Sequence, residues 1–264
     1  MALHVHVMAR ISEARVGLPC PAQPEDVVAR FRGSDGRFVD ATLDRLPVDD
    51  VLAGLPVREF RWYRGRRHYS GWYWAATTAG HVVYESRLEL ARIMLADRDP
   101  DVVAMAAQPV WLAGMDDGRV RRHVPDLLLA HRGGRLTFVD VKAASRLADQ
   151  RVVAQFAWMK AMCARFEFGF EVWSGVDPVV LENVRFLAGY RAVGLIREEL
   201  VGSVLAAARE PVPLGQVERV AAQGADRGWV RPVVLHALWR GLLDADLSRP
   251  LDVSTPVAAV GGMR

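Results

Sequence analysis

The sequence has 264 residues, 51% hydrophobic and 25% charged, which is the composition of a folded protein with room for two compact domains. Lys and Arg (34) outnumber Asp and Glu (31) only slightly, and the resulting charge of +3 does not by itself indicate a nucleic-acid partner. No apolar run approaches the roughly 18 residues of a membrane helix, and the N-terminus lacks a signal-peptide core, so we expect a cytoplasmic protein with no membrane partner.

The N-terminal part gives few signals. Residues 1–57 combine several prolines with short mixed patterns, and we predict an extension to which no role is assigned. Residues 58–74 alternate cations with aromatic side chains, which predicts a β-hairpin. Arg66 and Arg67 are candidate DNA contacts, because cations with aromatics are typical of surfaces that hold nucleic-acid backbones. The alternative is a hairpin that buries its aromatic residues and leaves its arginines in water.

The middle of the chain alternates helix and strand signals. The predicted elements are a helix over 84–96, extended chain over 102–111, strands over 122–130 and 136–141, a helix over 146–166 and a strand over 168–174. The tight turn Arg132-Gly133-Gly134 joins the two central strands. This order predicts an α/β fold with a mixed sheet flanked by helices.

The C-terminal part has the pattern of a helical domain. Helices are predicted over 180–190, 196–209, 214–222 and 230–243, with a short hairpin over 247–253. Three helices followed by a hairpin describe a winged helix-turn-helix, and residues 256–264 would form a loose tail.

The last of these helices has the pattern of a DNA-recognition helix. It would bury one apolar face, formed by Val234, Leu235, Leu238, Trp239 and Leu242. Arg231, His236 and Arg240 would then face outward and are candidate DNA contacts. The same pattern is typical of a helix that docks on a protein partner.

The strongest chemical signal is a pair of short motifs, Pro125-Asp126 and Asp140-Val141-Lys142. Side chains two apart on a strand share a face, so Asp140 and Lys142 should project together while Val139 and Val141 face the core. The neighbouring strand would bring Asp126 to the same edge. Two close carboxylates repel unless a cation lies between them, and oxygen ligands suit Mg²⁺, with Mn²⁺ as a substitute.

Lysine is rare in this sequence, which makes Lys142 informative. Lys142 and Lys160 are the only lysines, and arginine supplies every other cation. A lysine beside two carboxylates can orient water and offset charge on a phosphate, which indicates a centre that cleaves phosphodiesters. The alternative is an exposed ion pair between Asp140 and Lys142. Three nearby residues, each equally explained as solvated surface, are candidate DNA contacts: Arg122, His123 and Gln155.

The two motifs resemble those of the PD-(D/E)xK nuclease superfamily, whose fold is restriction-endonuclease-like. The flanking stretches 85–91 and Gln108-Pro109 look like TnsA, the endonuclease subunit of heteromeric transposases. The resemblance covers about 61–174 and extends more loosely into the C-terminal helices. It implies that Glu89 joins Asp126 and Asp140 in binding the metal; Glu85, one turn earlier, competes for that role.

The resemblance also implies a function. A TnsA-like subunit would cut the 5′ strands at transposon ends, leaving 5′-phosphate and 3′-hydroxyl products. It would work with a DDE-type transposase and an AAA+ regulator, and so be nucleoid-associated. The nuclease domain would span 58–176 and the winged-helix-like DNA- or partner-binding domain 177–255. The alternatives are a stand-alone restriction or repair nuclease, or a non-cleaving DNA-binding adaptor that keeps the nuclease fold.

Overall fold

A computed structural model of the protein describes residues 20–23, 25–58, 69–222 and 227–261. These residues form an α/β structure with several sheets. The strands are β1 (Val27–Arg32), β2 (Phe38–Thr42), β3 (Gly71–Ala75), β4 (Gly80–Tyr84), β5 (Val102–Ala107), β6 (Val110–Asp116), β7 (Arg119–His123), β8 (Leu127–His131), β9 (Leu136–Val141), β10 (Gly169–Trp173), β11 (Val212–Pro213), β12 (Leu243–Ala245) and β13 (Pro256–Ala259). The α-helices are α1 (Val48–Leu52), α2 (Arg87–Arg98), α3 (Gln150–Arg165), α4 (Pro178–Ala188), α5 (Val201–Ala207), α6 (Leu214–Ala222) and α7 (Arg227–Trp239).

The chain divides into two compact units. The first comprises 1–74, 80–92 and 101–174, and the second comprises 75–79, 93–100 and 175–264. In the part of the chain that the structure describes, no helix is long and apolar enough to cross a membrane.

The first unit contains two four-stranded sheets. One has the order β2-β1-β6-β7 and is antiparallel throughout. The other has the order β10-β9-β8-β5 and is mixed, because β9 and β10 run parallel while the other pairs are antiparallel. Their shared core includes Phe31 of β1, Leu112 of β6, Phe138 of β9 and Met159 of α3. Because β9 is a central strand of the mixed sheet, its backbone is hydrogen-bonded to β8 on one side and to β10 on the other. These pairings fix the position of its motif residues.

The turn predicted at Arg132-Gly133-Gly134 is confirmed, and a second glycine turn lies between β6 and β7. The turn after His131 joins β8 to β9, with Gly134 at φ +83°. Asp117 and Gly118 join β6 to β7 at φ values of +48° and +75°, the conformation that tight hairpins favour.

The N-terminal part, to which the sequence assigns no role, contributes strands to the first sheet. β1 lies between β2 and β6, so residues from before position 57 form half of the first sheet. Long-range pairing of this kind leaves little trace in a local pattern. Of the hairpin predicted over 58–74, residues 59–68 lie outside the described part, and β3 pairs instead with β4, which follows it.

The extended stretch predicted over 102–111 is two strands that belong to different sheets. The chain breaks at Gln108, whose φ is +46°, and at Pro109. Proline fixes its own φ and cannot donate to a sheet ladder, so it favours an interruption at this position. β5 pairs with β8 before the break, and β6 pairs with β1 after it.

The second unit orders its elements as α5, β11, α6, α7, β12 and β13, with strand order β11-β13-β12. The predicted hairpin over 247–253 is therefore misplaced, and the first four residues of the predicted loose tail form the middle strand β13. Val257 of β13 is 1% exposed. A four-residue strand is too short for a periodic signal, so only its burial between two partners reveals it.

Candidate active site

Asp126 is fixed at the start of β8 by two backbone contacts with β9. Its N–H donates to the carbonyl of Val139 at 3.0 Å. Its Oδ2 accepts a hydrogen bond from the N–H of Val141 at 2.6 Å. Asp126 is thus hydrogen-bonded to the residues on either side of Asp140. The two acids lie side by side, Asp126 just before β8 begins and Asp140 close to the end of β9.

Burial raises the pKa of Asp126 to about 7, and the hydrogen bond from Val141 opposes that rise. The negative charges of Glu89 and Asp140 raise this pKa further, whereas the charge of Lys142 lowers it. These are the other three residues of the predicted centre. Each is close enough to Asp126 to act on its ionisation.

Asp140 is a buried carboxylate, with only 1% of its surface exposed. Val139 and Val141 are buried, as predicted, and Asp140 on the other face of β9 is buried as well, beside the core residue Phe138. Both faces of this central strand are covered. The Asp140 oxygens Oδ1 and Oδ2 lie 2.8 and 2.9 Å from Nε2 of His123. The alternative of an exposed ion pair with Lys142 is contradicted by this burial and by this partner.

Lys142 follows directly after β9 and is half-buried. Its N–H donates to the carbonyl of Trp173 in β10 at 2.9 Å, which fixes the backbone at this point. Its side chain forms no ion pair with any residue that the structure describes. The ammonium group therefore acts on the site through its charge, which lowers the pKa of both Asp126 and Glu89.

Glu89 caps its own helix. Ser86, just before α2, accepts a hydrogen bond from the Glu89 N–H at 3.1 Å and donates its hydroxyl to Glu89 Oε1 at 2.9 Å. The other oxygen, Oε2, accepts from the N–H of Glu85 at 2.8 Å. This reciprocal arrangement is close to a capping box. Burial raises the pKa of Glu89, and the two hydrogen bonds that its carboxylate accepts, from the Glu85 N–H and the Ser86 hydroxyl, lower it.

The carboxylates suit Mg²⁺ by their chemistry, because all three offer oxygen ligands and their mutual repulsion would be relieved by a cation. They do not form a closed cage. Within the described ranges, no three His, Cys, Asp or Glu side chains are placed to hold a metal ion. The Glu89 oxygens are engaged at the helix N-terminus and those of Asp140 with His123, which leaves Asp126 as the least committed acid.

Two other candidate residues of the first unit, Arg122 and Gln155, differ in their exposure. Arg122 is exposed on β7, an edge strand. Gln155 lies in α3 with its amide nitrogen buried and without a hydrogen-bond partner among the described residues. Arg66 and Arg67 lie outside the described residues.

In the second unit the predicted recognition face is only partly present. His236 is 6% exposed, and its Nδ1 lies 2.6 Å from the carbonyl oxygen of Tyr190, so the prediction that it faces outward is wrong. Arg231 is exposed but paired with Glu218 at 3.1 Å, and Arg240 is exposed. The helix ends at Trp239, which leaves the predicted core residue Leu242 40% exposed. Every residue of α7 from Val233 to Trp239 is buried. The periodicity of one helix cannot show that its neighbours cover it on all sides.

Two features near the site were not predicted. The N–H of Gln108 donates to the Asp126 carbonyl at 2.9 Å, and its buried side-chain oxygen has no hydrogen-bond partner in the described part of the chain. The Gln108-Pro109 pair was noted only as a mark of resemblance. Arg92, one turn after Glu89, forms two hydrogen bonds of 2.8 and 2.7 Å with Glu171 of β10. A contact between residues so far apart in sequence has no local signal.

No known protein family matches this chain, and no curated protein matches it either. The resemblance to TnsA therefore stays a prediction.

Proposed function

We propose that the protein is a Mg²⁺-dependent DNA endonuclease with a restriction-endonuclease-like domain, acting as the TnsA-like subunit of a heteromeric cut-and-paste transposase. The observation that carries the proposal is the pair of hydrogen bonds between Asp126 and the backbone of Val139 and Val141, which sets this buried acid beside Asp140 and next to Lys142. The charges of Glu89, Asp140 and Lys142 all act on the pKa of Asp126, which burial raises to about 7. A buried cluster of acids with one lysine is costly for a fold and useful for phosphodiester cleavage.

In this proposal Asp126, Asp140 and Glu89 are the residues that would hold the ion. Mg²⁺ would supply positive charge at the scissile phosphate. The ammonium of Lys142 orients the attacking water and offsets the negative charge that develops on the phosphate. The raised pKa of Asp126 means that part of the metal-free protein carries a proton there at neutral pH, so metal binding would release it.

For the second unit we propose a winged-helix domain that docks on a protein partner. The order α5, β11, α6, α7, β12, β13 with the sheet order β11-β13-β12 fits that fold. Residues 175–264 carry ten arginines and ten acidic residues, so this part of the chain is neutral. The wing strand β12 and the loop after it hold Asp244, Asp246 and Asp252, which would repel a phosphate backbone. Among the predicted partners, the transposase or the AAA+ regulator suits such a surface better than DNA.

The proposal is tested with the full chain, a DDE-type transposase subunit, and a labelled duplex that carries a transposon end. Mg²⁺-dependent cleavage of the 5′ strand is expected for the wild type, with 5′-phosphate and 3′-hydroxyl products. Asp126→Asn and Asp140→Asn should abolish cleavage. Cleavage that survives both substitutions, or that survives chelation of Mg²⁺, would remove the proposed centre.

A further inference from the structure

His123 connects the two sheets of the first unit at the candidate active site. It is the last residue of β7, an edge strand of the antiparallel sheet. Its Nε2 lies 2.8 Å from Oδ1 and 2.9 Å from Oδ2 of Asp140, which belongs to a central strand of the mixed sheet. An ionised carboxylate only accepts hydrogen bonds, so Nε2 carries the proton and donates to both oxygens.

Asp140 depends on this contact. A buried carboxylate is costly unless it is paired and hydrogen-bonded, and the Asp140 side chain is 1% exposed while that of His123 is 19% exposed. Burial, and after it the charge of Asp140, raises the pKa of the Cys163 thiol, so this thiol stays neutral near the carboxylate. Among the described residues, His123 is the side chain that hydrogen-bonds the Asp140 carboxylate and so orients it.

The position of His123 in the chain adds a second constraint. β7 ends at His123, and β8 begins at Leu127. His123 and Asp126 therefore lie at the two ends of one short connection, which contains Pro125. β6 pairs Leu112 with His123, so the start of this connection is fixed by a sheet ladder. Through it, the two acids are held relative to each other.

We propose that His123 is a positioning residue of the metal site, which holds the Asp140 carboxylate in the orientation that binds Mg²⁺ together with Asp126. The inference rests on the proposed function. Residues that hydrogen-bond a metal-ligating carboxylate keep its orientation, and their loss typically costs about 10- to 100-fold in metal affinity. His123 then acts through Asp140 and not on DNA, which replaces the phosphate contact predicted from the sequence.

The test measures Mg²⁺ affinity by calorimetry, without DNA, on the full-length wild type and on His123→Ala. The matched control is Arg119→Ala, the exposed first residue of the same strand. We expect His123→Ala to weaken Mg²⁺ binding by about 10- to 100-fold and Arg119→Ala to leave it unchanged. Unchanged or tighter binding by His123→Ala would overturn the proposal, since a tighter site would mean that the histidine competes with the ion.

A conservative pair of variants separates positioning from general packing. His123→Gln places an amide N–H near the position of Nε2, whereas His123→Asn is too short to reach it. Glutamine should restore most of the Mg²⁺ affinity and asparagine should not, even if the alanine variant fails to fold. Equal affinities for these two variants would overturn the proposal. If the wild type binds no Mg²⁺ in the same experiment, the proposed function itself fails, and this inference fails with it.

Discussion

The carboxylate of Asp126 accepts a hydrogen bond from the backbone of Val141, with 2.6 Å between Oδ2 and the amide nitrogen. This contact joins the two half-motifs that lie fourteen residues apart in the sequence. It also places the acid one residue away from Lys142. The site thus depends on strand register as much as on residue type.

The raised pKa of Asp126 predicts how stability changes with pH. Because the folded-state pKa is about 7 and the ordinary value is 3.8, the folded protein binds more protons than the unfolded chain between these values. The contribution of Asp126 is therefore fully present below about pH 4 and is lost as the pH rises through 7, by up to about 4 kcal/mol.

Asp126→Asn should remove that part of the pH dependence. Urea unfolding of both proteins at pH 5 and pH 8, with a chelator present, gives the free energy of unfolding at each pH. The quantity compared is how much of that free energy each protein loses between pH 5 and pH 8. The wild type should lose more stability than the variant on going to pH 8. Equal losses would mean that Asp126 ionises normally in the folded protein.

Glu89 and Ser86 share a helix cap, so their substitutions should separate capping from metal binding. Ser86→Ala should cost about 1 kcal/mol of stability and leave Mg²⁺ affinity near that of the wild type. Glu89→Gln keeps an acceptor for the cap but removes the charge, so it should lower Mg²⁺ affinity more than stability. Thermal unfolding and calorimetry measure the two effects. Unaltered Mg²⁺ binding by Glu89→Gln would leave Glu89 with the capping role alone.

Lys142 should require a lysine and not merely a positive charge. A guanidinium is planar and permanently charged, and it cannot replace a compact ammonium beside two acids. Lys142→Arg should therefore lower the single-turnover cleavage rate by about 100-fold while DNA binding persists. Lys160→Arg on the exposed face of α3 is the matched control, because it changes the only other lysine. Near-normal cleavage by Lys142→Arg would remove Lys142 from the chemistry.

His236 should matter for stability, whereas Arg240 should not. The imidazole is buried and bonded to the Tyr190 carbonyl at 2.6 Å, so His236→Ala leaves a buried acceptor without its partner. We expect a loss of about 1–3 kcal/mol in the free energy of unfolding. Arg240→Ala removes an exposed side chain and should change it by less than about 0.5 kcal/mol. Denaturant titration of both variants checks this, and equal stabilities would show that the buried contact contributes nothing.

Under the proposed function, the purified protein should cut poorly by itself and efficiently together with a DDE-type transposase subunit. Non-specific DNA affinity comes mainly from phosphate neutralisation, and the chain offers a net charge of only +3. Positioning by a bound partner can contribute on the order of 7–11 kcal/mol toward the barrier. Cleavage of a labelled element-end duplex with and without the partner measures the dependence. Rapid, sequence-specific double-strand cleavage by this chain alone would favour a free-standing restriction-type enzyme.

The sequence by itself determined the elements whose signal is local. The β8–β9 hairpin follows from two apolar strands around a glycine turn, and α6 follows from its helical period, with both ends where the pattern puts them. The grouping of Asp126, Asp140 and Lys142 follows from period-two geometry once the hairpin is recognised. Residue type and short-range spacing are sufficient for these features.

Tertiary structure alone decided the features that depend on distant partners. β1 pairs with β6, which is far from it in the sequence, and His123 of the antiparallel sheet contacts Asp140 of the mixed sheet. His236 points inward because α7 is covered by its neighbours, although its sequence pattern also fits an exposed face. A side chain's polarity predicts only what its burial would cost. Whether a partner removes that cost depends on which strands and helices pack together, and that information is spread over the whole chain.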